Sequence, residues 1–115
     1  MPPRDWRLRI EDILQAIGRI QRYTRGFTFD VFNSDDLRVD AVIRNLSIIG
    51  EAARYIPEDI QKKYPDVPWS DMRGIRNVVT HEYFGIVLEV VWETVQDDLP
   101  PLALRLQEIL DREGR

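Results

Sequence analysis

Residues 73–85 read RGIRNVVTHEYFG and hold the chain's single histidine, His81. Around it stand Arg73, Arg76, Asn77, Thr80 and Tyr83, which bring two guanidiniums, an amide, a hydroxyl and a phenol to one imidazole. These groups suit a phosphodiester. Arginine offers a fixed fork of donors that binds phosphate and stabilises charge building up on it. Histidine, with an unperturbed pKa near ~6.5, takes or gives a proton at neutral pH. The chemistry they would serve together is RNA cleavage. An imidazole deprotonates the 2′-hydroxyl, which attacks phosphorus, and the 5′-oxygen leaves with a proton from an acid, so a 2′,3′-cyclic phosphate forms without a metal. Base and acid are best kept separate, yet each chain owns one histidine. Two copies packed about a two-fold axis, with this segment of each facing the other, would place two His81 and two Arg76 in one cleft. The same residues have a plainer reading, as a solvated polar face or a hydrogen-bonded helix end, where the macrodipole alone favours a histidine. Tyr83, amphipathic by type, would then pack on the bundle or fill an interface.

The element that must carry these groups is a helix from about Pro68 to Phe84, closed by Gly85 in the left-handed conformation. At ~100° per residue, Met72, Ile75, Val78 and Val79 gather on one arc and Arg73, Arg76, Asn77, Thr80, His81 and Tyr83 on the other, with Tyr83 within ~20° of Arg76. Four more helical segments surround it. Ile10, Ile13, Leu14, Ile17 and Ile20 form the stripe of a first helix from Trp6 to Tyr23, ended by Gly26. Asn33 and Ser34 are natural caps for a second, running to about Tyr55 with Asp35 and Asp36 in its first turn. Its apolar residues cover more than one face, as in a central helix packed on two sides, and Gly50, Ala52 and Ala53 permit close approach. Glu51 among them reads as a solvated or paired charge. Pro57, Glu58 and Asp59 open a short third helix to Tyr64. The last begins near Ile86, carries Leu88, Val91, Trp92, Val95 and Leu99, and is kinked or broken at Pro100-Pro101 before Leu102, Leu106, Ile109 and Leu110 resume the stripe. With no alternating strand pattern, the fold class is all-α: an up-and-down bundle of four to five helices in one domain, residues 1–115.

Composition narrows the function. With no cysteine and one histidine in 115 residues, thiolate zinc and disulfides are excluded, and neither a metal nor a cofactor is implied. A reducing cytoplasm fits. The stretch IVLEVVW at 86–92 is too short to span a membrane and carries Glu89. A net charge of −4 argues against broad attraction to nucleic acid, so any RNA site must be a local basic cluster. Arg73 and Arg76 share one face, Arg44 is a candidate neighbour, and Arg4, Arg7, Arg9, Arg19, Arg22 and Arg25 make the first helix locally basic, either as a groove rim or as a solvated face.

RNVVTHEY at 76–83 resembles the Arg-x4-His motif, followed after one residue by Tyr, of the HepT toxins within the HEPN superfamily. AVIRNLSIIGEAA at 41–53, VPWSDMRGIRN at 67–77 and the tail at Val91, Trp92, Leu99, Pro100 and Leu102 are also similar to that family, so the likeness spans nearly the whole chain. The resemblance implies a helical homodimer acting as a metal-independent RNase toxin, paired with a minimal nucleotidyltransferase antitoxin of the MntA type. It assigns catalysis to Arg76 and His81, an orienting role to Asn77, and to Tyr83 the position that the partner modifies with AMP. Charge added there would repel RNA. The non-enzymatic alternative is a helical dimer that binds a nucleotide, or holds a nucleotidyltransferase, without cutting.

Overall fold

The computed structural model describes residues 5–81 and 87–114, and of 76–81 the helical backbone. Its described residues form helices and connections with no strand. The first helix, α1 (Trp6–Thr24), starts where the Asp5 carboxylate accepts from the Arg7 backbone N–H at 2.8 Å. It buries Ile10, Ile13, Ile17 and Ile20 of the expected stripe, together with Ala16, while Leu14 is partly buried against the core. Gly26 turns the chain at φ 77°, in the left-handed region where a Cβ is strained.

Between the first two expected helices lies a short one, α2 (Phe29–Asn33), which periodicity did not reveal. Thr28 caps it, accepting from the Val31 N–H at 3.3 Å. Its cause is tertiary: Phe32 is fully buried with its ring 5.1 Å from that of Trp92, and Phe29 meets the same indole edge-on at 6.4 Å. Asn33 therefore ends α2, and Ser34 donates to the Val31 carbonyl. The cap of the central helix α3 (Asp36–Ala53) is instead Asp35, which accepts from the Arg38 N–H at 3.1 Å. As expected for a helix packed on two sides, α3 lies against α1 and against α5, with Gly50, Ala52 and Ala53 buried. Glu51 is a paired charge, 3.4 Å from Arg54.

Pro57 caps the short α4 (Glu58–Lys63), and α5 (Trp69–His81) follows, its first turn fixed by the Trp69 indole donating to the Tyr64 carbonyl at 2.9 Å. The expected end of this helix at Phe84 and Gly85 lies outside the described residues, as does the expected start of the next at Ile86. From α6 (Leu88–Glu93) the chain continues into α7 (Leu99–Glu113) through a π-helical turn, Thr94–Asp98. Pro100 and Pro101 do not break the rod where the sequence suggested; they occupy the first turn of α7. The disruption falls one turn earlier. Because neither proline can donate back into the helix and each ring crowds a preceding carbonyl, the turn widens and the Leu99 N–H reaches Thr94. The bundle thus has four long members, α1, α3, α5 and the α6–α7 rod, around one apolar cluster to which each contributes.

Candidate active site

Helix α5 carries the motif. Met72 is buried and Ile75 half-buried, so these two residues of the expected apolar arc face the core, while the side chains of Val78 and Val79 lie outside those described. On the polar side Arg73 is half-buried and committed: its Nη1 donates at 2.8 Å to Gln61 Oε1, while Gln61 Nε2 donates at 2.8 Å to the Ile56 carbonyl. A guanidinium on α5 is thereby held in place by α4 and the loop before it. Arg76, Asn77, Thr80 and His81 fall on the last two turns of α5, as continuous helical backbone. At 1.5 Å per residue, Arg76 and His81 stand ~7.5 Å apart along the axis. Tyr83 lies outside the described residues.

Two adjoining cavities open beside α5, sharing Asp71, Ile75 and Thr94. The larger, about 680 Å³, is bounded by Asp66, Met72, Asp98, Leu102 and Arg105; the smaller, about 350 Å³, by Leu46, Ser70, Gly74, Val90 and Val91. Among the described residues the walls are apolar with carboxylates at the edge, which repel a phosphodiester, and Arg105 is already taken by Asp66 at 2.7 Å.

The basic residues of the first helix divide. Arg22 and Arg25 are exposed, whereas Arg7, Arg9 and Arg19 are half-buried. Arg7 pairs with Asp5 at 3.4 Å and lies over the Trp6 ring at 4.9 Å. Arg9 lies over the Tyr55 ring at 4.2 Å, and Arg19 donates through Nε to Asn45 Oδ1 at 2.8 Å. Arg4 is outside the described residues, and Arg44 is exposed on α3. Asn45 was missed at the sequence level. It is a buried amide that accepts from Arg19 and donates to the Ala41 carbonyl, and only an Asn inside an otherwise apolar helical stripe could have signalled it.

Comparison with known proteins bears on this arrangement. A family model described as Ribonuclease HepT-like matches residues 13–109. A candidate RNase of Methanocaldococcus jannaschii is 42% identical over 115 residues, covering 99% of this chain and 95% of the relative. A probable ribonuclease HepT of Thermococcus cleftensis is 40% identical over 100 residues, covering 87% and 91%. A candidate RNase of Caldanaerobacter subterraneus is 36% identical over 104 residues, covering 90% and 93%. No solved structure matches the chain.

Proposed function

The chain belongs to the ribonuclease HepT-like family of the HEPN superfamily, and on that premise we propose that it is a metal-independent endoribonuclease toxin, residues 1–115 acting as one domain in the cytoplasm. The observation that carries the reading is the Arg76-x4-His81 spacing on one unbroken helix, in a chain whose family match spans 97 of its residues, 13–109. His81 serves as the proton-transfer group and Arg76 stabilises the charge that gathers on the phosphoryl oxygens as the 2′-oxygen attacks. Arg73, Asn77 and Thr80 bind and orient the phosphodiester. The tie from Arg73 to Gln61 supports this, because a guanidinium already ordered loses less freedom when phosphate arrives.

One histidine per chain makes the active species a homodimer, with base and acid drawn from different copies. The partner in the cell is a minimal nucleotidyltransferase of the MntA type, which attaches AMP to Tyr83 and so silences the enzyme. Incubating total RNA with the purified protein tests the reading. Wild type should degrade it and His81→Ala should not; an inert wild type would leave the non-catalytic helical dimer as the better account.

A further inference from the structure

Three arginines lie along the seam where α1 meets α3, each held by a group from elsewhere in the fold. Arg9 of α1 stacks on Tyr55, just past the end of α3, and its buried Nε has no hydrogen-bond partner among the described residues. Arg19, ten residues on and so ~15 Å further along the axis, is fixed through Nε to Asn45 Oδ1. At the far end Arg38 of α3 crosses to α1, donating through Nη1 to the Tyr23 carbonyl at 3.0 Å while lying over the Phe27 ring at 4.6 Å. Arg38 is partly neutralised by Asp35 at 3.3 Å; among the described residues Arg9 and Arg19 have no such carboxylate partner. All three are half-buried.

Simple helix-to-helix packing does not call for this pattern. Half-burying a guanidinium has a desolvation cost, and an aliphatic residue would seal the seam without it. Pinned guanidiniums suit a sugar-phosphate backbone, because their side-chain entropy is already spent and their forks match phosphate oxygens; the buried Arg9 Nε is not itself a contact. We infer that the α1/α3 seam is a track for the phosphate backbone of the RNA substrate, with Arg9 and Arg19 as its principal contacts and Arg38 at its end. The track rests on the ribonuclease reading above and extends it. It explains how a chain of net charge −4 gathers RNA: positive charge is concentrated where donors are pre-ordered.

The test separates binding from cleavage by using a fluorescein-labelled 12-nucleotide RNA fully methylated at the 2′-oxygens, which cannot undergo transesterification. Anisotropy titrations of full-length protein should show Arg9→Gln/Arg19→Gln binding at least ~10-fold more weakly at 0.1 M salt, with the salt slope flattened by about 1.4, ~0.7 for each lost phosphate contact on a single strand. Arg19→Lys keeps the cation and gives up the fork to Asn45. It should keep the wild-type salt slope while binding more weakly than wild type, whereas a purely structural staple would make it match Arg19→Gln in both slope and affinity. Circular dichroism confirms that each variant is folded. If wild type cleaves unmodified RNA and the double glutamine variant binds the probe with an unchanged affinity and slope, the track is refuted and the nuclease stands. If wild type neither binds nor cleaves any RNA, both fall. A double variant that keeps RNA binding but no longer copurifies with a co-expressed nucleotidyltransferase would reassign the seam to a protein partner and overturn the proposal.

Discussion

The phenol of Tyr64 donates a hydrogen bond to Oε2 of Glu113, 49 residues further along the chain, and so joins the end of α4 to the end of α7. Lys63 Nζ reaches the same oxygen at 2.7 Å, and Arg7 Nη2 donates to the Glu113 carbonyl at 3.4 Å, which brings the start of α1 to the same point. The Lys63 and Tyr64 hydrogen bonds hold the Glu113 carboxyl below its ordinary value of 4.5, while its acceptance raises the Tyr64 phenol above 10.0 and the Lys63 ammonium above 10.5. The signs follow. A depressed carboxylate stabilises the fold above its unfolded value and loses that contribution as acid is added; raised phenol and ammonium groups stabilise below their unfolded values and lose it as base is added. Glu113→Gln should therefore lower the thermal midpoint at pH 7 and flatten its decline both below pH 4.5 and above pH 10.0. Circular dichroism melts across pH check this, and an undiminished acid limb would mean that other carboxylates govern it.

The parts of this fold that could be read from sequence are those made by local periodicity. The isoleucines of α1, the small residues of α3, and the Leu102, Leu106, Ile109 and Leu110 stripe of α7 each announce a helix within a few turns, although the cap of α3 falls on Asp35 and not on Asn33 or Ser34. Helix α2 was illegible because five residues are too few for a period, and its reason to fold, Phe29 and Phe32 on Trp92, lies some sixty residues away. Pro100-Pro101 announced a disruption but could not say that a widened turn upstream would absorb it. At the site, residue types and spacing pointed to α5, whereas the clasp of Arg73 by Gln61 and the pinning of Arg19 by Asn45 depend on how separate helices register. No one-dimensional pattern carries that information.

Replacing either motif residue should remove activity and spare the fold. His81→Ala deletes the proton shuttle and Arg76→Ala the stabilisation of developing charge, each slowing cleavage by on the order of 10²–10⁴. Initial rates on a defined RNA, with matched circular dichroism spectra, provide the check. A variant cleaving at more than a tenth of the wild-type rate would remove that residue from the mechanism.

Cleavage should be indifferent to chelators and leave 2′,3′-cyclic phosphate ends, since the proposed His81 and Arg76 pair suffices for transesterification. Mass spectrometry of products formed in EDTA reads both points at once. Activity lost in EDTA and restored by magnesium, with 5′-phosphate products, would replace this mechanism with a metal-dependent one.

Because the proposed site needs two histidines, activity should follow dimerisation. Light scattering at micromolar concentration should return twice the chain mass. Adding inactive His81→Ala protein to a fixed amount of wild type distinguishes a composite site from two independent ones. If the cleft needs a histidine from each copy, subunit exchange makes inactive heterodimers and total activity falls, whereas independent sites leave it unchanged. A fully active monomer would remove the dimer from the mechanism.

Tyr83, two residues beyond His81, is where the proposed control operates. Transfer of AMP to its oxygen adds a nucleotide and at least one negative charge beside the proposed path of the RNA backbone, so inhibition is both steric and electrostatic. Tyr83→Phe keeps the ring and deletes the acceptor oxygen. It should therefore cleave RNA close to the wild-type rate, and it should go on doing so after incubation with the partner nucleotidyltransferase and ATP, a treatment that silences wild type. Intact-mass measurement after the same incubation should show the added AMP on wild type and none on the phenylalanine variant. If the variant is silenced as readily as wild type, or the AMP sits on another residue, control by Tyr83 is wrong even where the nuclease itself is confirmed.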